Sequence, residues 1–151
     1  MIDTKPLSAL PDPDTQAGFY DGVAVKRLLA WVVDTVLIAL ATIVVATLPL
    51  FIGWFFLPFI FLVLSILYRA GTIASASATP GMRVFNVELR NNQGMHLTGG
   101  EAVVHTLGYL VCTAFFLPQM ISVLMILLTA RGQALHDVIT GTALINKPSD
   151  F

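Results

Sequence analysis

Charged side chains are scarce in this chain: Asp, Glu, Lys and Arg make up 11% of its 151 residues, against about 25% in soluble domains. A water-soluble fold needs a charged shell, and this sequence cannot supply one. The eight basic and nine acidic residues nearly cancel, giving a formal net charge of -1. There is thus no basic field to attract nucleic acid. Cysteine is nearly absent. Cys112 stands alone in an apolar run, which excludes a disulfide or a thiolate metal site within one chain and marks it as packing. The sequence also lacks HExxH, GxSxG and a Gly-rich phosphate loop, and no two carboxylates have acid–base spacing. Neither an enzyme nor a cofactor is expected. His96, His105 and His136 are too far apart for zinc-ligand spacing, so no metal site is expected. His105, alone near the start of an apolar helix, reads as a hydrogen-bonded packing residue.

Apolar residues, at 56%, take the place of charge, and their distribution implies an α-helical polytopic membrane protein with three to four hydrophobic helices. Residues 1–20 hold three prolines and three acids with no basic-then-apolar leader pattern, and are expected to be a flexible tail. Residues 21–146 then form the membrane domain. No charged residue lies between Asp34 and Arg69. As one helix that stretch would be ~50 Å long, well beyond a ~30 Å hydrocarbon core, so it must fold back. Pro49 and Gly53 mark the turn, predicting helices over about 25–48 and 54–68, with Pro58 as a kink. Trp31 and Trp54 suit the two interfacial belts.

A third apolar run, 102–130, carries Pro118-Gln119 inside it. It can be one long kinked helix or a broken pair that returns the chain to its starting side. Lys26, Arg27, Arg69, Arg83 and Arg90 flank the first two helices on one side, and Arg131 and Lys147 follow the third run. The positive-inside rule places the N-terminus in the cytoplasm, within a bacterial inner membrane, and favours the broken pair with both termini inside. Between the helices, Phe85–Arg90 alternates apolar and polar residues, Asn91–Gly94 supplies turn residues and Met95–Leu97 could return. These predict a small cytoplasmic β-hairpin over 83–97. Thr98 and Glu101 form a capping-box pattern that starts the next helix. Residues 132–141 read as a short amphipathic helix closed by Gly141, Thr142–Ile145 could add a strand to the hairpin, and 147–151 form a tail.

Charge inside an apolar helix costs ~2.5–3.5 kcal/mol on insertion scales, so each such group needs a reason. Arg27 and Asp34, seven residues apart, share a helix face. Their ~10 Å axial separation is too long for a direct ion pair. Asp137 is the candidate partner for Arg27, whose guanidinium binds carboxylates in fork geometry, and the three charges are expected to meet near the inner interface. His136, Arg83 and Arg131 are secondary candidates. Arg27, Asp34 and the late Leu135-His136-Asp137 followed by Gly141-Thr142 resemble the RDD family of small membrane proteins, named for one arginine and two aspartates. Thr79-Pro80-Gly81-Met82-Arg83 is similar to the family's Thr-x-Gly-Lys stretch, with Met82 where the family usually has lysine and Asn86 where it usually has glycine. Order and spacing agree over about residues 19–146. The resemblance implies a membrane fold and a link to transport, including sodium/proton exchange in a few members. Two functions are therefore expected to compete. One is ion or solute transport using Asp34 as a coupling carboxylate and Arg27 with Asp137 as a cytoplasmic latch. The other is a non-catalytic accessory or scaffold subunit of a larger membrane complex. Three or four segments rarely enclose a pathway, so beyond the lipid bilayer the expected partners are further copies of the chain or a larger assembly.

Overall fold

A computed structural model describes residues 8–148. Its elements run α1 (Val23–Thr47), α2 (Leu57–Ala76), α3 (Pro80–Val84), β1 (Val87–Asn91), α4 (Gly99–Ala114), α5 (Phe116–Leu128), α6 (Leu135–Thr140) and β2 (Thr142–Asn146). Short 3-10 turns at Ala17–Phe19 and Ile52–Phe56 lead into α1 and α2. Two helical stretches, Ala17–Thr47 and Ile52–Ala76, are each long and apolar enough to cross a membrane, and the bent α4–α5 pair makes a third if counted as one span.

The apolar residues face outward. Val25, Leu28, Val36, Leu40 and Val44 of α1 are exposed, whereas its buried stripe is Ala30, Asp34, Ile38, Thr42 and Ala46. The regular four-residue step of that stripe keeps one narrow face inward. A soluble helix buries the opposite set. Lipid tails are as apolar as leucine, so helices in a bilayer associate through close contact of small residues and through hydrogen bonds instead. The α1–α2 turn follows this rule. A Cβ on Gly53 would lie 2.6 Å from the Ala46 carbonyl oxygen and 2.7 Å from its Cα, so only glycine lets the backbones meet there. The reversal itself is made by Leu50 and Phe51 at positive φ.

Three expectations are corrected, and the choice left open over 102–130 falls to the favoured broken pair. The second helix does not stop at residue 68 but runs to Ala76, which puts Arg69 inside α2 rather than after it. Pro58 sits in the first turn of α2, where its missing N–H costs nothing, and is not a kink. The run 102–130 is two helices bent by 113° at Phe115, and Pro118 again lies in a first turn. The hairpin over 83–97 does not form. Met95–Leu97 is not a strand, and β1 pairs antiparallel with β2, Leu89 opposite Leu144. A turn within 91–95 is closed instead by Asn91, whose backbone N–H donates to the Met95 carbonyl and whose side chain accepts from Gln93 N and Met95 N.

The sheet rests on the soluble-like part of the molecule, a core of Val23, Ile73, Val87, Leu89, Leu97, Ala102 and Leu144. The Thr98–Glu101 capping box starts α4, and Gly141 in the left-handed region closes α6. Lys26 Nζ donates to Asn146 Oδ1 at 2.6 Å, tying β2 to the N-terminal end of α1. Residues 8–20 do not behave as a loose tail: Leu10 is buried, the Tyr20 hydroxyl donates to the Pro11 carbonyl, and Ala9 N donates to the Asn92 carbonyl. The remainder of the expected tails, 1–7 and 149–151, lies outside the described residues. Gly53→Ala should lower the melting temperature of detergent-solubilised protein by the equivalent of ~1–3 kcal/mol, the usual result of overpacking. Gly71→Ala, with nothing within 4 Å of the added methyl, should not lower it, since alanine is the better helix former. Equal melting of both variants would show that the α1–α2 approach is not tight.

Candidate functional site: two carboxylates and an open cavity

The three charges expected to meet, Arg27, Asp34 and Asp137, fall into two clusters rather than one. Asp34, 1% exposed on α1, accepts three hydrogen bonds: from the Tyr68 hydroxyl (2.8 Å) and Gly81 N (2.8 Å) on Oδ1, and from the Thr79 hydroxyl (2.5 Å) on Oδ2. Thr79 is also the N-cap of α3 and accepts from Met82 N at 3.2 Å. Its hydroxyl therefore links a helix start to a carboxylate. A Cβ on Gly81 would collide with the Ala30 carbonyl and with Asp34 itself, so glycine is required for the backbone N–H to reach the acid. Such donors are what make a buried carboxylate tolerable in a low-dielectric site. The Thr79–Met82 stretch is thus built around Asp34. Asn86, just beyond it, has φ 57°, a left-handed conformation that asparagine tolerates better than most residues.

Arg27 and Asp137 form the second cluster. Arg27 Nη2 donates to Asp137 Oδ2 at 2.5 Å, with side-chain exposures of 15% and 0%. The same oxygen accepts from Ala134 N at 3.0 Å, so Asp137 caps its own short helix and ties it to α1. The imidazoles of His136 (Nε2, 3.3 Å) and His105 (Nδ1, 3.7 Å) flank Oδ1 without an aligned hydrogen bond. His105 Nδ1 also lies 3.2 Å from the Thr142 hydroxyl. Burial pushes the Asp137 carboxyl up, but the Arg27 guanidinium, both imidazoles and the Ala134 N–H together hold it below the ordinary carboxylate range. Burial, reinforced by Arg27 and Arg69, pushes the His136 imidazole down against the pull of Asp137.

This geometry separates what the sequence had grouped. Arg27 and Asp137 meet, whereas Asp34 is held by different donors. His136 joins the Asp137 cluster, while Arg83 is exposed and Arg131 lies beside Tyr20, away from both acids. His105, His136 and Asp137 each bring one donor atom within 4.8 Å of the others, a convergence with no signal in sequence because the ligands come from two distant helices. Their types suit a borderline cation, but Oδ2 of Asp137 is already held by Arg27, and the positive field of two guanidiniums opposes a dication.

Between α1, α2, α4 and α5 lies a cavity of ≈ 420 Å³. Arg27, Asp34, Arg69, His105, Ser122 and His136 supply much of its polar lining. Arg69 is the residue that sequence patterning missed. A single arginine after an apolar run signals an interface anchor, yet this one is 7% exposed within α2, with its guanidinium 4.4 Å from the centre of the Tyr109 ring.

The model of the RDD family matches residues 22–141, a segment that holds both carboxylates, Arg27 and every wall of the cavity. The chain belongs to the RDD family. Comparisons with curated proteins and with solved structures find no match. Within that matched segment Arg27 and Asp137 form one ion pair, and Asp34 anchors the Thr79–Gly81 segment.

Two measurements check this cluster. Arg27→Ala strands a fully buried carboxylate and should cost ~3–5 kcal/mol, read as lost melting temperature or folded yield, with partial recovery on adding Asp137→Asn. No loss would show the pair to be incidental. His136, whose pKa burial lowers in the fold, regains an ordinary value of about 6.5 on unfolding. The unfolded chain then binds more protons as pH falls, so the stability tied to the lowered His136 pKa is full above about pH 6.5 and declines below it, with Asp137 adding a loss below about pH 4. Melting temperature in detergent should fall between pH 7 and pH 5, less steeply in His136→Gln. Identical slopes would exclude His136.

Proposed function

We propose that this RDD-family membrane protein has a transport-related role, with the cavity between α1, α2, α4 and α5 as the chamber that receives an ion or small solute. The supporting observation is the cavity itself: a mainly apolar space of ≈ 420 Å³ into which a few polar side chains project, among helices whose outer faces are apolar. Binding chambers of ~300–1,000 Å³ with a few convergent polar groups are the usual form of a small-ligand site. In this proposal the Arg27–Asp137 pair is the latch that holds α6 over one end of the chamber. Lys26 and Arg27 lie in the first turns of α1 and Arg83 in α3, which packs against α1, a grouping that supports a cytoplasmic placement in a bacterial inner membrane by the positive-inside rule. Coupling through Asp34 requires the Tyr68 and Thr79 hydroxyls to release its carboxylate during the cycle.

The test is flux through reconstituted vesicles carrying a pH-sensitive dye, with sodium and proton gradients imposed in turn. Wild type should dissipate a gradient faster than protein-free vesicles. Gln119→Trp, which places bulk in the cavity at a side chain without a hydrogen bond among the described residues, should abolish the difference while eluting as folded protein. Flux in Asp34→Asn equal to wild type would remove Asp34 from coupling, and wild-type rates equal to empty vesicles would sink the transport role.

The scarcity of full-length spans, two helices on their own, favours a second reading as an accessory or scaffold subunit. Extraction in mild detergent followed by mass measurement separates the two. Stoichiometric co-purification of a different protein supports the accessory role, and a homo-oligomer counts against it.

A further inference from the structure

We infer that the cavity is a receptor for an anionic amphiphile, a phosphate or carboxylate carrying an alkyl chain, whose oxyanion is held by Arg69. The inference rests on the proposal that this cavity is the ligand chamber, and it names the chemistry of the ligand.

Arg69 is the starting point. Arg69 lines the cavity and is 7% exposed as a residue, yet among the described residues no carboxylate lies within ion-pair distance and its side chain donates no hydrogen bond. A buried charge normally has a partner, and a guanidinium has five donors to place. Asp34 faces the same space, but its oxygens are occupied by Tyr68, Thr79 and Gly81. Asp137 is committed to Arg27 and Ala134.

The rest of the lining is also rich in donors. Arg27 Nε is buried and unpartnered. Tyr109 accepts from Trp31 Nε1 at 2.7 Å and Ser122 accepts from Leu135 N at 3.3 Å, so each hydroxyl keeps its own proton to offer. Guanidiniums in a fork geometry with added hydroxyls are a receptor for an oxyanion rather than for a cation.

The alkyl chain follows from the walls. Helix α5 packs against α4 and α6 rather than along α1, and the cavity occupies the gap. Leu28 and Trp31 on α1 face Val123 and Leu127 on α5 across it, and all four are also exposed on the outer, lipid-facing surface. The space therefore opens sideways towards hydrocarbon. Depth agrees: Arg27 lies four residues inside the start of α1 and Arg69 seven residues before the end of α2. At 1.5 Å per residue both guanidiniums sit ~6–10 Å below the helix ends, at the boundary between headgroups and acyl chains.

Trp31 lines the cavity and reports its occupancy. In a Trp54→Phe background, which leaves Trp31 as the single indole, protein in dodecyl maltoside is titrated with dibrominated stearate, brominated phosphatidylglycerol and brominated phosphatidylcholine. Bromine quenches indole fluorescence on contact. At least one of the two anionic probes should quench saturably and at lower concentration than phosphatidylcholine, and the better of the two identifies a fatty carboxylate or a lipid phosphate as the source. Arg69→Gln should weaken that probe by about tenfold or more, the loss of one charge-assisted contact. Its melting temperature should fall only modestly, by the loss of the Tyr109 ring contact, because no counter-charge is stranded. Arg69→Lys, which keeps the charge and loses the fork, should lie between and carries the test if Arg69→Gln does not fold. Equal quenching by phosphatidylcholine, unchanged affinity in the Arg69 variants, or displacement by inorganic phosphate as effective as that by unbrominated stearate would overturn the inference. Binding needs no gradient. Arg69-dependent binding without flux therefore sinks only the transport role, whereas flux without binding sinks only this inference.

Discussion

Asp34 sits in the middle of the longest apolar helix, and a carboxylate there must collect donors or give up its charge. Because α1 has no suitable donor on its own face, the donors come from elsewhere: a tyrosine hydroxyl of α2, and a threonine hydroxyl and a backbone N–H at the start of α3. Meeting that need fixes how α2 lies along α1. It also fixes where the chain leaves the membrane helices, since Thr79 must cap α3 and reach Asp34 with one hydroxyl, and Gly81 must press its backbone against Ala30. The placement of β1 follows directly after.

The second acid repeats the solution at the end of the chain. Asp137 caps α6 through Ala134 and takes the guanidinium of Arg27, so the last helix is held to the first turns of α1 by charge rather than by apolar contact. Lipid offers no hydrophobic drive for helices to associate, and polar ties of this kind carry the specificity. The 113° bend between α4 and α5 is what lets the chain come back for that contact. Arg69 is the exception to the pattern. It is buried like Asp34 and Asp137 but left without a counter-charge, and the cavity exists beside it because α5 does not close against α1.

How much of this could be read beforehand differs residue by residue. The capping box at Thr98 and the glycine stop at Gly141 are local rules, and both stand where the pattern put them. The meeting of Arg27 with Asp137, 110 residues apart, was legible because so few charges exist that the partners are nearly forced. Arg69 was not legible, since an arginine at the end of an apolar run has the same local signature whether it anchors at the interface or stacks on Tyr109. Met95–Leu97 and Thr142–Ile145 were both plausible partners for β1. The choice fell to β2 because Asn91 spends its side chain closing the 91–95 turn, while Asp137 and Lys26 bring β2 alongside.

The sequence by itself determined the solvent and the helices. Hydrophobic runs longer than a bilayer, broken by proline and glycine, leave few alternatives, because unsatisfied backbone groups are too costly in lipid. Only the tertiary structure decided which donor meets which acceptor, that Asp34 and Arg27 serve separate clusters, and that one arginine is left facing an open cavity. Those outcomes depend on distances of a few ångströms between segments far apart in the chain, and no periodicity or composition encodes them.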